Sequence, residues 1–343
     1  MLIYETIRFL IMIFLSFLVA LFIYLFYEKA VQKFGLHKHT IRNELGVYHQ
    51  NKASTPTMAG VIIWGTVSLL AFIFLILSKF FDGFANYFNF INRTETYLPL
   101  TAMLFAALLG LIDDIIGMKG LGTAKNGLKV KHKLLIYFFI SIIGAWWFYF
   151  KLGFNSIVIP FIGTFSIGLW YIPFFMFIVI ATAFSMNETD GLDGLAGGVS
   201  LFSFASLAII AIVINHYDLA VMIGALLGGI LAFLWFNIYP AKFFMGDTGS
   251  MALGITLGIV ALLTQTVFYL PFIAIIPFIE SLSVVIQIIS RKFFHKRIFK
   301  ITPIHHHFEA LGWHESRITM RFWIINAIGS GFGLILYLLA KFI

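Results

Sequence analysis

The residues of this chain that could do chemistry are mostly acidic, and they stand in three short motifs. Asp113 and Asp114 end the apolar run LLGLI, Asp190 and Asp193 lie in NETDGLDGLAGG, and Asp247 lies in FMGDTGS. Carboxylates with amide and hydroxyl neighbours are hard oxygen ligands, which favour Mg²⁺ or Mn²⁺ over zinc. The chain has no cysteine, so thiolate catalysis and thiolate metal sites are excluded. The motifs therefore predict an oxygen-ligated divalent metal site.

Each acid also has a structural alternative. Adjacent residues on a helix diverge by about 100°, so at most one of Asp113 and Asp114 points straight into a site. The other, Asp114, can face water at a solvated helix end. Asp190 and Asp193 are three residues apart and share a face if their segment forms a helical turn. Asp247 can cap the helix that follows it.

A fourth polar motif, TPIHHHFE (Thr302–Glu309), holds three consecutive histidines. Successive side chains point in different directions, so we expect these histidines to donate to phosphate or sugar oxygens rather than to form a zinc cluster. Lys52 precedes a fifth motif, STPTMAG (Ser54–Gly60), and Lys133 follows Asp113 and Asp114 along the chain. Carboxylates, lysines and a divalent metal in one site predict a diphosphate substrate.

Long apolar stretches must position these motifs. A soluble domain is excluded, because 61% of the residues are hydrophobic and the mean hydropathy is +0.98. Stretches of about 20 apolar residues, the length that crosses ~30 Å of hydrocarbon, recur along the whole chain. We predict an all-α polytopic membrane protein with one domain, residues 1–343, and ten transmembrane helices at 6–27, 58–78, 98–116, 134–152, 169–186, 199–215, 220–239, 250–267, 271–290 and 322–340.

The positive charges predict how these spans are oriented. The loops after spans one, three, five, seven and nine hold five, five, none, one and seven of the 23 lysines and arginines. By the positive-inside rule these loops are cytoplasmic, and both termini are extracytoplasmic. All five polar motifs fall on this side of the predicted spans. The sequence therefore predicts one active site in the cytoplasmic loops, at the membrane surface.

The five motifs together carry a resemblance to a known family. STPTMAG, LLGLIDD, NETDGLDGLAGG, FFMGDTGS and ITPIHHHFEALGW, in this order, resemble the bacterial phospho-N-acetylmuramoyl-pentapeptide transferases of the polyprenyl-phosphate N-acetylhexosamine-1-phosphate transferase superfamily. The resemblance covers nearly the whole chain. It implies a multi-pass enzyme of the bacterial plasma membrane, a homodimer with no nucleic-acid partner. With Mg²⁺ it would move phospho-MurNAc-pentapeptide from UDP-MurNAc-pentapeptide to undecaprenyl phosphate, giving lipid I and UMP for peptidoglycan synthesis.

The resemblance also implies roles for single residues. The implied catalytic residues, with Asp247 as the Mg²⁺ ligand, are Asp113, Asp114, Asp247, His305, His306 and His307. The implied substrate-binding residues are Lys52, Thr57, Lys133, Asn187, Asp190, Asp193, Asn237, Phe244, Gly246, Ser250 and Gln287. The chain departs from the family pattern at Ala59, Gly117 and Glu188, and none of these changes removes a group that the chemistry needs.

Two other functions are compatible with parts of the pattern. A polyprenyl-phosphate GlcNAc-1-phosphate transferase resembles this chain in fold and aspartate motifs, although TPIHHHFE followed by LGW favours the muramoyl-peptide enzyme. A transporter would place acids near the bilayer centre, where only Glu280 is predicted, and a hydrogen bond between spans explains Glu280 equally well.

For the transferase, both direct attack by the lipid phosphate and a covalent aspartyl intermediate fit the residues.

Overall fold

The computed structural model describes residues 2–35, 55–81, 83–91, 94–120 and 128–342. Lys52 of the predicted substrate site lies outside these ranges. Most of the described chain is helical, as the hydropathy pattern predicts. The helices are α1 (Leu2–Phe34), α2 (Gly60–Leu77), α3 (Phe84–Phe88), α4 (Tyr97–Met118), α5 (Val130–Trp146), α6 (Tyr171–Thr189), α7 (Leu195–Val213), α8 (Tyr217–Asn237), α9 (Asp247–Leu263), α10 (Leu270–Ile273), α11 (Ile275–Phe293), α12 (Ile304–Ala310) and α13 (Glu315–Phe342).

The helices confirm a polytopic membrane protein. Within the described ranges, eight helical segments are long and apolar enough to cross a membrane, and each of the ten predicted stretches overlaps a helix. A ninth span is obtained if the pair 267–273 and 275–293, which bends by 93°, counts as one. Helix α9 is apolar but only 17 residues long. The tenth span and the orientation of the termini therefore stay predictions.

A short β-hairpin between α5 and α6 was not predicted. Strand β1 (Ser156–Ile159) pairs antiparallel with β2 (Gly163–Ser166), and Ser156 lies opposite Ser166. The run SIVI is rich in β-branched residues, which favour a strand. Gly163 has a φ of +125°, which a residue with a side chain rarely adopts, so the glycine permits the turn.

Helix α9 lies at the centre of the bundle and fixes the position of the acidic motifs. Every residue of α9 is buried, and the helix contacts α2, α4, α6 and α7. Small residues allow this close packing, as is usual where helices associate within lipid. A Cβ added at Gly254 would lie 2.7 Å from the Cα of Ala183 on α6. Outer helices such as α1 instead expose apolar side chains, as lipid contact requires.

Two further glycines bring neighbouring helices against the first turn of α9. A Cβ added at Gly110 on α4 would overlap the carbonyl group of Asp247, and one added at Gly60 on α2 would overlap the backbone of Gly249. No side chain could stand between these backbones. The start of α9 is therefore held by direct contact with α2 and α4, and α4 carries Asp113 and Asp114 one turn beyond Gly110.

Candidate active site

The candidate site is built around the N-terminus of α9. Gly246 precedes the helix with φ 74° and ψ 174°, and a Cβ there would lie 2.5 Å from Asp114 Oδ2. The Thr248 N–H, one of the helix amides without an intrahelical acceptor, donates to Asp114 Oδ2 at 3.1 Å. A carboxylate also suits the positive end of the helix dipole. Asp114, from α4, therefore accepts the hydrogen bond of one amide in the first turn of α9 that has no acceptor within the helix.

This arrangement corrects two of the sequence alternatives. Asp114 does not face water at a solvated helix end, since it is 0% exposed and holds the Thr248 amide. Asp247 does not cap α9 either, because it is the first residue of the helix and Gly246 occupies the cap position. The Asp247 side chain is thus available for contacts with other helices.

Asp113 and Asp247 share one ammonium group. Lys133 Nζ, from α5, lies 2.7 Å from Asp247 Oδ1 and 3.2 Å from Asp113 Oδ2. The Leu128 N–H donates to the other Asp113 oxygen at 2.6 Å. Both aspartates are buried, whereas the Lys133 side chain keeps 16% of its surface exposed. Three helices therefore converge on two carboxylates, and the lysine between them is the part that solvent can reach.

Asn187 completes the contacts of Asp247. Its Nδ2 donates to Asp247 Oδ1 at 2.6 Å and to Ser250 Oγ at 3.1 Å. Asn187 lies near the end of α6, so a fourth helix joins the site. Predicted site residues from four separate stretches of sequence therefore meet here, namely Asp113, Asp114, Lys133, Asn187, Gly246, Asp247 and Ser250.

Thr57 and Phe244 lie beside this cluster through backbone pairing. The Phe244 N–H donates to Pro56 O at 2.8 Å, and the Ala59 N–H donates to Phe244 O at 3.0 Å. Thr57 is buried, and its carbonyl oxygen accepts from the Tyr27 hydroxyl at 2.8 Å. A Cβ at Gly246 would lie 3.0 Å from Thr57 Oγ1, so the threonine hydroxyl borders the turn before Asp247.

The donor set fits a magnesium ion. Within the described part of the chain, no group of three or more His, Cys, Asp and Glu side chains could hold a metal by itself. Mg²⁺ is usually held by one or two carboxylates, with substrate phosphates and water completing an octahedron. Asp113 and Asp247 are such a pair, and they already share one cationic group, Lys133. The residues therefore suit an ion that a phosphate substrate helps to bind.

The DGLDG segment does not form the helical turn that was one interpretation of its spacing. Residues 190–194 form turns rather than a helical turn, so the shared helical face of Asp190 and Asp193 is not formed. Asp193 is buried, and its Oδ2 accepts from the Ala241 N–H at 3.0 Å. Asn237 accepts from the Gly194 N–H at 2.9 Å and donates to Phe243 O at 2.7 Å. Asp193 and Asn237 therefore connect the turn that follows α6, and so Asn187, with the loop that precedes Asp247.

The three histidines point in three directions, as the contiguous run predicts. His305 Nδ1 lies 3.0 Å from Glu280 Oε2, and His306 Nδ1 lies 2.6 Å from Glu309 Oε2. His307 Nδ1 accepts from the Lys300 N–H at 3.1 Å. Three separate partners argue against a zinc cluster.

The histidine motif packs against the segment that follows Asn187. A Cβ added at Gly191 would overlap the imidazole of His305. Gln287, predicted to bind substrate, uses its side chain on the chain itself: Nε2 donates to Phe299 O at 2.9 Å, and Oε1 accepts from the Ile298 N–H at 3.0 Å. Gln287 therefore shapes the segment that leads into α12.

The buried Glu280–His305 pair should make stability depend on pH. Burial alone would lower the pKa of His305, but the Glu280 carboxylate outweighs this and raises the pKa above 6.5, with smaller contributions from Glu309 and Glu188. Because the pKa of His305 is higher in the folded than in the unfolded state, the pair contributes fully to the free energy of unfolding below the unfolded-state pKa. That contribution is lost as the pH rises through the folded-state pKa.

We expect Glu280→Gln to lower the free energy of unfolding by about 3–5 kcal/mol at pH 6, because the imidazolium loses its buried partner. The difference from the wild type should shrink as the pH is raised towards 9. Thermal unfolding of both proteins in detergent across this range is the measurement. A difference that stays constant or grows with pH would contradict a charged pair.

The sequence reasoning missed one residue of this region. Tyr137 lies on α5 one helical turn after Lys133, is 1% exposed, and interacts electrostatically with Asp247 and Asp113. Its spacing of four residues from Lys133 is the signal that could have identified it. An isolated tyrosine in an apolar span otherwise looks like an interface anchor.

The chain is similar to known transferases over most of its length. The glycosyl transferase family 4 profile matches residues 96–265, a segment that contains Asp113, Asn187 and Asp247. A phospho-N-acetylmuramoyl-pentapeptide-transferase of Borrelia garinii subsp. bavariensis is 41% identical over 297 residues, 81% of this chain and 80% of the relative. Transferases of the same name from Caldanaerobacter subterraneus subsp. tengcongensis (38% identical, 86% of this chain, 87% of the relative) and Desulforamulus reducens (37%, 88% and 87%) are also similar.

Proposed function

The chain belongs to the phospho-N-acetylmuramoyl-pentapeptide-transferases, and from this membership we propose how its buried carboxylates carry out the reaction. It is a multi-pass membrane transferase of peptidoglycan synthesis. We propose UDP-MurNAc-pentapeptide as the donor and undecaprenyl phosphate as the acceptor, with lipid I and UMP as products. We also propose a homodimer in the bacterial plasma membrane, as the family resemblance implies. The site would face the cytoplasm, and the distribution of lysines and arginines supports this orientation.

One observation carries the proposed mechanism: Asp113 and Asp247 hold the same ammonium group, Lys133 Nζ, at 3.2 and 2.7 Å. Two buried carboxylates would repel a diphosphate and a lipid phosphate unless cations lie between them. Lys133 supplies one such cation, and its exposed part can bind a phosphate oxygen. The site therefore has the charges needed to bring two anionic substrates together.

We propose that Asp247 holds Mg²⁺ together with phosphate oxygens of the substrate. When bound, the ion would neutralise the diphosphate and stabilise the leaving UMP as a Lewis acid. Asn187 orients the carboxylate for this task, because it donates to Asp247 Oδ1 at 2.6 Å. Asp114 stays with the Thr248 amide and fixes the first turn of α9.

Asp113 is our choice for the proton step, because its Oδ2 faces the reachable Lys133 whereas Asp114 Oδ2 is held by the Thr248 amide. Asp113 would take the proton of the lipid phosphate. That phosphate oxygen then forms a bond to the β-phosphorus of the donor, and the bond from this phosphorus to the bridging oxygen breaks, which releases UMP. A covalent aspartyl intermediate stays the alternative route.

An apolar groove beside the site suits the polyprenyl chain. A cavity of about 740 Å³ between α6 and the bent pair α10 and α11 is lined almost wholly by apolar side chains, among them Phe177, Leu257 and Phe278. Leu134, which directly follows Lys133, also lines it. A lipid tail in this groove would place its phosphate close to Lys133.

The reaction is tested with the purified protein, Mg²⁺ and undecaprenyl phosphate, supplied with either UDP-MurNAc-pentapeptide or UDP-GlcNAc. We expect UMP release only with the muramoyl substrate, and none when the lipid phosphate is omitted. Release of UMP with UDP-GlcNAc alone would overturn the proposed donor and favour the related GlcNAc-1-phosphate transferase.

A further inference from the structure

Tyr137 has a buried hydroxyl group that makes no hydrogen bond within the described residues. The residue is 1% exposed, and its oxygen is shielded from solvent. Leaving a buried donor without an acceptor destabilises a protein. Native structures contain few such groups, and each calls for an explanation such as an unseen ligand. A phenylalanine would fill the same space without this cost.

Tyr137 lies on the face of α5 that also carries Lys133, a residue of the carboxylate site. It follows Lys133 by four residues on α5, so both side chains lie on one face of the helix. Tyr137, Ser141 and Gly144 form the buried stripe of α5, whereas Phe139 and Ile143 on other faces are exposed. The carboxylates of Asp247, Glu188 and Asp113 act on the Tyr137 hydroxyl through their charge.

The neighbouring groups explain why the hydroxyl proton is unused in this structure. Asp247 Oδ1 already accepts from Lys133 and Asn187, and Asp113 Oδ1 already accepts from the Leu128 amide. On α5, Lys133 supplies a charged donor, which already binds Asp247 Oδ1, and the Tyr137 hydroxyl adds a neutral one.

We propose that the Tyr137 hydroxyl donates a hydrogen bond to a phosphate oxygen of the substrate that Lys133 binds. This inference rests on the proposed function and adds a substrate-contacting residue to it. Hydrogen bonds to charged oxygens are about twice as strong as neutral ones, and strongest where water is excluded. A neutral donor adds no charge to the site, so it leaves the ion pairs between Lys133 and the two carboxylates unchanged.

The test is Tyr137→Phe, which removes the hydroxyl and keeps the packing. We expect kcat/KM for UMP release to fall about 10- to 100-fold, because one donor to a charged group is lost. The thermal midpoint of the substrate-free protein should stay equal or rise, since an unsatisfied buried donor is removed. The matched control is Tyr171→Phe, which alters a buried tyrosine at the start of α6 and should leave both quantities unchanged.

The outcomes separate this inference from the proposed function. If the wild type releases UMP and Tyr137→Phe does so within twofold, the inference is wrong and the function stands. A lowered midpoint with a parallel loss of activity would assign Tyr137 to the fold and would also overturn it. If the wild type releases no UMP with any lipid phosphate, the proposed function is wrong, and the inference that rests on it is wrong as well. Should Tyr137→Phe aggregate, Tyr137→Met offers a second side chain without a donor.

Discussion

Replacing Asp247 with asparagine should lower Mg²⁺-dependent UMP release by roughly 10³-fold or more, since losses of this size follow removal of a charge central to catalysis. Asparagine has the same size as aspartate but no charge. Lys133 Nζ, now 2.7 Å from a carboxylate oxygen, would face a neutral amide and stay with Asp113. The proposed Mg²⁺ would lose its ligand from α9. Activity across a Mg²⁺ titration, and binding of Mn²⁺ followed by its electron paramagnetic resonance signal, measure the two effects separately.

Asp218 provides a matched control for this substitution. It lies in the first turn of α8, as Asp247 does in α9, and it forms an ion pair at 2.8 Å with a buried arginine, Arg8. Asp218→Asn makes the same chemical change at an equivalent place in a helix. It should lower the melting temperature and leave the Mg²⁺ dependence unchanged. Near-normal activity of Asp247→Asn would remove the proposed metal site.

The sequence predicted the membrane class, and it selected several of the residues that lie together at the start of α9, because both depend on local signals. Hydropathy is a property of consecutive residues, so each of the ten predicted stretches overlaps a helix. The motifs around Asp113, Asn187 and Asp247 are short, and the distribution of lysines and arginines predicts that their loops lie on one side of the membrane. Their meeting at the start of α9 is compatible with that prediction.

The structural features that the sequence did not predict depend on contacts between residues far apart in the chain. Nothing in GDTGS shows that Asp114, 134 residues away from Thr248, accepts the first free amide of α9. The turn that holds Asp193 uses its carboxylate for the Ala241 backbone, a contact across 48 residues. The 93° bend before α11 was missed because a hydropathy window counts apolar residues and is blind to direction.

Gly110 shows how such a distant contact can set activity. It precedes Asp113 by three residues on α4, and a Cβ there would lie 2.7 Å from Thr248 Cα and overlap the Asp247 carbonyl group. These are backbone atoms of a helix buried on all sides, so no rotamer change relieves the overlap. Gly110→Ala must move α4 away from α9, which also stretches the bond from the Thr248 amide to Asp114.

We expect Gly110→Ala to lower the free energy of unfolding by about 1–3 kcal/mol through overpacking, and activity by about 10²-fold through misplacement of the carboxylates. The control is Gly331→Ala on α13, where a Cβ would meet nothing within 4 Å. Helix propensity alone favours alanine over glycine by about 1 kcal/mol in both helices. The control should therefore be neutral or stabilised, and a loss confined to Gly110→Ala can come only from the contact between α4 and α9. Equal behaviour of the two variants, measured by UMP release and thermal unfolding, would show that this contact does not position the site.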